Sequence, residues 1–157
     1  MWFICVILFI PNEERIVVFM VKEIVKDTEI LTQKSVPFVF GEDDYLIQDM
    51  FDTANEHKER CAGLACIQIG IPKKIILVKQ NDKYNVFINP MIIKKSPKTY
   101  IAQEGCLSVD GIHTVKRHNS VKVMWTTAQG KKKVQEFNGF VAEIIQHECD
   151  HLQGILI

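Results

Sequence analysis

Near the end of this chain, His147 and His151 stand four residues apart, with Glu148 directly after the first. On an α-helix that spacing puts both imidazoles on one face, where they can hold one metal ion. The adjacent carboxylate can then act as base toward a water on that metal. Phe140 and Ile144 continue the stripe seven and three residues before His147, so the metal face is expected to lie against core. Two histidines hold a metal poorly, because catalytic sites usually take three protein ligands and keep one position open. Only six residues follow His151, and none can serve as a ligand. The third ligand is therefore expected upstream. Cys61, Cys66 and Cys106 lie in glycine-containing segments, and His113 and His118 in turn-like or strand-edge stretches. Cys149 lies about 200° round the helix from His147 and faces away. Spacing alone leaves the other five open.

The elements that must position these groups can be read from periodicity. Asn138 is a plausible N-cap for the final helix, and Gly154 a plausible closing residue. A second helix is expected from Asp43 or Asp44 to about Lys58, with an apolar stripe of Leu46, Ile47, Met50, Phe51 and Ala54 and polar residues opposite. His57 is expected at its solvated end. Small residues dominate Cys61 to Gln68, where backbone can approach a ligand or another chain closely. Strands are expected over Lys74–Lys79, Tyr84–Asn89, Met91–Lys94 around Pro90, Thr99–Ala102, Val121–Trp125 and Lys131–Phe137, with turns at Asn81-Asp82 and Asp110-Gly111. This is an α+β layout: antiparallel sheets packed around the C-terminal helix, with one further helix nearer the N-terminus.

Composition narrows the function. Formal net charge is zero, so no nucleic-acid partner is suggested, and Lys131-Lys132-Lys133 reads as a solvated strand end. Five cysteines without a CxxC pair fit a reducing compartment. The apolar run Trp2–Ile10 is far short of the roughly 20 residues that span a bilayer, and no positive charge precedes it as in a secretory signal. Residues 1–19 are expected to be an extension before a true start at Met20, a targeting segment being the lesser alternative. Residues 20–157 are expected to form a single catalytic domain.

Three stretches together resemble peptide deformylase: Gly63-Leu64-Ala65-Cys66-Ile67-Gln68, Glu104-Gly105-Cys106-Leu107-Ser108, and Gln146-His147-Glu148-Cys149-Asp150-His151-Leu152-Gln153-Gly154. They are similar to that family's GxGLAAxQ, EGCLS and QHExDHLxG motifs, in the same order. The first is looser: Cys61 stands for the family's first Gly, Cys66 for its second Ala, and Ile67 for a frequent Pro. The resemblance implies Cys106, His147 and His151 as ligands of one divalent metal, Fe²⁺ first, with Zn²⁺ or Ni²⁺ as alternatives. It implies removal of the formyl group from the N-terminal formyl-methionine of new proteins, releasing formate. Glu148 would be the base, and the Gln68 amide and Leu107 backbone N–H the oxyanion donors. Ala62, Gly63 and Gly105 would align the peptide as an added strand, and Phe140 and Ile144 would line the methionine pocket. Arg117 would pair with Asp150 behind the ligands.

The expected partners are N-formylmethionyl peptides and nascent chains, with transient ribosome contact. No nucleic-acid or membrane site is expected, and the chain is expected to be a monomer of the bacterial-type cytosol. Many deformylases carry a further C-terminal helix or tail, and activity is expected to survive without it. The competing readings are another metallohydrolase sharing only the helix, and a deformylase-like binding protein without hydrolysis. A role for Cys106 in metal binding separates the first from a deformylase.

Overall fold

The computed structural model describes residues 4–10 and 13–157, with side chains from Met20 onward. The expectation placed on residues 1–19 falls outside the described side chains. Two antiparallel strands, β1 (Ile4–Ile10) and β2 (Glu13–Phe19), pair with each other. After them come a short helix α1 (Thr28–Leu31), capped by the Asp27 carboxylate accepting from the Glu29 N–H at 2.8 Å, and the longer α2 (Tyr45–Glu56).

A five-stranded antiparallel sheet follows, in the order β3-β4-β5-β8-β9. Its strands are β3 (Gly63–Ala65), β4 (Ile75–Gln80), β5 (Lys83–Lys95), β8 (Ser120–Thr126) and β9 (Lys132–Asn138). Between β5 and β8, the strands β6 (Thr99–Gly105) and β7 (Ile112–His118) form a separate two-stranded sheet. The final helix, α3, runs Gly139–Leu152.

β4 shows why its apolar run is unbroken. Successive side chains leave a strand on opposite faces. Ile76 and Val78 enter the core beneath α3, with Val123, Trp125 and Phe137, while Ile75 and Leu77 enter a second core with Leu46, Met50 and Ala54 of α2. The two helices therefore cover opposite faces of the sheet at β4, which is buried on both sides.

Several boundaries differ from the sequence reading. β5 is one strand rather than two: Asn89 takes a φ of 49° and the register shifts between Ile88 and Met91, so Pro90 is accommodated at an irregularity. β6 extends to Gly105, and β7 carries both His113 and His118. The polar side of α2 is also not free. Asp52 accepts the Met20 N–H at 3.0 Å, Thr53 accepts the Lys22 N–H at 2.9 Å, and Asp49 pairs with the Lys22 ammonium at 3.3 Å. These residues are buried under the incoming chain. Among the described residues no helix is long and apolar enough to cross a membrane.

Candidate active site

α3 is bounded as its ends suggest. Asn138 holds the N-cap position in extended conformation but its side chain makes no capping hydrogen bond, and Gly154 closes the helix with a φ of 75°. At Gly154 a side chain is excluded twice, because a Cβ there would also lie 2.2 Å from the Thr32 carbonyl oxygen. Between these ends, His147, Glu148 and His151 are all buried. Cys106 follows immediately after β6 and swings its thiol toward the same point. Its Sγ lies 3.3 Å from His151 Nε2, which lies 3.2 Å from His147 Nε2. Candidate ligand atoms of the three residues all fall within 4.8 Å of one another. Two imidazole nitrogens bound tetrahedrally to one ion at its usual bond length sit about 3.3–3.4 Å apart. The spacing suits one tetrahedral ion.

Hydrogen bonding settles which imidazole nitrogens can serve. His147 Nδ1 lies 2.8 Å from Glu104 Oε2, so Nδ1 carries the proton and Nε2 presents its lone pair. His151 Nδ1 has no partner among the described residues, leaving Cys106 and His147 as the polar neighbours of that ring. Neither spacing nor the resemblance assigns Glu104 a role. It is buried, and it also accepts Arg117 Nε at 2.7 Å and Nη2 at 2.8 Å, while Arg117 Nη1 reaches Asp150 at 2.5 Å. The Arg117–Asp150 pair is thus present, with Glu104 linking it to His147.

This chain of charges sets the site's protonation. Burial works to raise the Glu104 carboxyl, but the Arg117 and His147 hydrogen bonds outweigh it and hold it down to about 2. Burial pushes Glu148 up to about 7.

Gln68 and Gly63 complete the cavity. Gln68 sits in a 3₁₀ turn, Cys66–Ile69, and its Oε1 accepts the Ala65 N–H at 2.8 Å. A backbone N–H can only donate to that oxygen, so the amide orientation is fixed. Its Nε2 is thereby aimed at Cys106 Sγ, 3.4 Å away, and Ser108 Oγ, 3.3 Å away. A Cβ on Gly63 would lie 2.5 Å from Glu148 Oε1 and 2.6 Å from Ile144 Cγ2, so only glycine leaves that carboxylate in place. A cleft of about 230 Å³ opens here, lined by the backbone stretches Ala62–Gly63 and Gly105–Leu107 and by Phe140, Ile144, His147 and Glu148.

The polypeptide deformylase profile matches residues 21–157 of this sequence. The chain belongs to the peptide deformylase family. A peptide deformylase of Clostridium beijerinckii is 42% identical over 138 residues, covering 88% of this chain and 100% of the relative. One from Pelagibacter ubique is 40% identical over 131 residues, covering 78% and 74%. The actinonin-bound class I type b peptide deformylase of Acinetobacter baumannii superposes with a TM-score of 0.80 at 36% identity, over 87% of this chain and 95% of that one. The Thermotoga maritima deformylase gives 0.80 at 28% identity, over 87% and 94%. The chain is accordingly a metallohydrolase that removes N-formyl groups from newly made proteins.

Within this deformylase, the remaining candidates separate cleanly. Cys61 and Cys66 are buried in the α2-side core, and Cys149 packs from the other side of α3 against the α3 core. His113 lies 3.0 Å from the Asp110 carbonyl and His118 lies 2.6 Å from the Ser96 carbonyl; neither joins the Cys106 cluster. One expectation needs correcting. Ile144 is buried, but Phe140 is 64% exposed and stands at the cleft's mouth rather than in core. It lies in the first turn of α3, where the stripe has already cleared the sheet.

Proposed function

We propose that Cys106, His147 and His151 hold one divalent ion, Fe²⁺ first and Zn²⁺ or Ni²⁺ as alternatives, and that Glu148 moves the protons of deformylation. The observation that carries this reading is the position of the buried Glu148 carboxyl. Its Oε1 faces Gly63, its Oε2 has no hydrogen-bond partner among the described residues, and it sits beside the convergent thiol and imidazoles. Bound there, the ion supplies a Lewis acid that makes water a nucleophile near neutral pH. Glu148 accepts the proton as the water oxygen bonds to the formyl carbon. The Gln68 Nε2 and the Leu107 backbone N–H donate to the oxyanion that develops. As the C–N bond breaks, Glu148 returns the proton to the leaving amine, giving formate and a free methionyl N-terminus.

The backbone of Ala62, Gly63 and Gly105 aligns the peptide as an added strand, and Ile144 and Phe140 flank the methionine side chain. The substrates are nascent chains of a bacterial-type cytosol, met by a monomeric enzyme in transient contact with the ribosome, with residues 20–157 as its catalytic domain. The test is formate release from a formyl-Met dipeptide by anaerobically purified, iron-loaded protein, against Glu148→Ala. The variant should keep its metal and lose roughly 10²–10⁴-fold in turnover. Wild-type rates in Glu148→Ala would overturn the role of that residue.

A further inference from the structure

Arg60 stands where three hollows meet. It lines the reaction cleft, a groove of about 400 Å³ that continues from it past Ala62 and Phe140, and a third hollow beside Gly105 and Asp110. Its side chain is exposed, and its backbone N–H is fixed by the His57 carbonyl at 2.9 Å. Two of the carboxylates around the mouth are already engaged. Asp110 takes the Lys26 ammonium at 2.7 Å, and Glu143 accepts the Tyr100 hydroxyl at 2.5 Å. Among the described residues Arg60 has no carboxylate in ion-pair contact. A peptide held by Ala62 and Gly63 must leave the cleft past this guanidinium, whose planar fork matches a carboxylate.

We propose that Arg60 selects formylmethionyl chains that carry negative charge in the residues just after the methionine. This rests on the deformylase reading of the cleft. Arg60 touches none of the reacting groups, so its influence falls on KM and is weakened by salt.

The experiment compares formyl-Met-Ala-Asp-amide with formyl-Met-Ala-Lys-amide on the metal-loaded enzyme, Arg60→Ala and Arg60→Glu, at low and high ionic strength. Wild type should favour the acidic peptide through KM. Arg60→Ala should cut that ratio by about threefold, the range of one exposed ion pair, and Arg60→Glu should reverse it. High salt should bring the three enzymes together. Formate release with a peptide ratio that Arg60→Glu leaves unmoved would overturn the role of Arg60 alone. No release from either peptide by the wild type would overturn the deformylase reading and this one with it.

Discussion

Glu104 and His147 are joined by a 2.8 Å hydrogen bond from Nδ1–H to Oε2, although they lie 43 residues apart on different elements. The same carboxylate takes two hydrogen bonds from Arg117. It therefore fixes the tautomer and the plane of His147 while β7 holds it still. Groups that orient a ligand in this way typically contribute 10–100-fold to metal affinity. Glu104→Gln should weaken metal binding by about that factor, because the neutral amide holds the imidazole less firmly. Competition with a chelator measures it directly; an unchanged affinity would show that α3 alone orients His147.

How much of this was legible follows from which signals are local. The two histidines and Glu148 share one helix, so spacing exposed them. Cys106 required pairing β6 with β7 and placing both against α3, which no periodicity encodes; only the resemblance of its motif singled it out. Glu104 sat in that same motif, but the role of a buried carboxylate depends on what faces it. The unbroken apolar run of β4 was visible, yet the two cores it feeds were not. Phe140 was misjudged for a related reason: the helical stripe says which side a residue faces, not where the sheet beneath it ends.

Gly63 and Glu148 predict a second outcome. With a Cβ only 2.5 Å from Glu148 Oε1, Gly63→Ala must displace either the carboxylate or the β3 backbone. A shift of about 1 Å in a catalytic group costs on the order of 10²-fold in rate. The ligands themselves are untouched, so metal content should stay at one ion per chain while kcat falls. Equal kcat at equal metal loading would mean that β3 yields without disturbing Glu148.

Acid sensitivity should depend in part on Asp43, at the entrance to α2. Burial opposes its charge, but the Lys73 ammonium at 2.7 Å and the Val39 N–H at 2.8 Å hold its carboxyl below the ordinary 3.8. A carboxyl depressed in the folded state contributes stability that is complete above its unfolded value and is lost as pH falls through its folded value. Asp43→Asn should therefore cost up to about 1 kcal/mol at neutral pH and flatten the acid limb below 3.8. Urea unfolding across that range reads both effects. Parallel curves for the two proteins would remove Asp43 from the acid response.

The cysteines offer a test of the metal cluster that does not depend on activity. Cys61 and Cys66 are fully enclosed, and burial pushes each thiol up to about 12, so neither supplies thiolate near neutral pH. Cys149 points away from the histidines and packs against the core beneath α3, where burial pushes its thiol up to about 12 as well. Cys106 is only partly buried, and its sulfur points at both histidines. Alkylation mapped by mass spectrometry should therefore find Cys106 reactive after chelation and protected when Zn²⁺ or Fe²⁺ is restored. Cys149, held up in the same way as Cys61 and Cys66, should stay unlabelled in both states. Cys106→Ser should also lose the ion, since two imidazoles alone hold a divalent metal weakly. Metal-independent labelling of Cys106, or a full complement of metal in Cys106→Ser, would remove the sulfur from the ligand set.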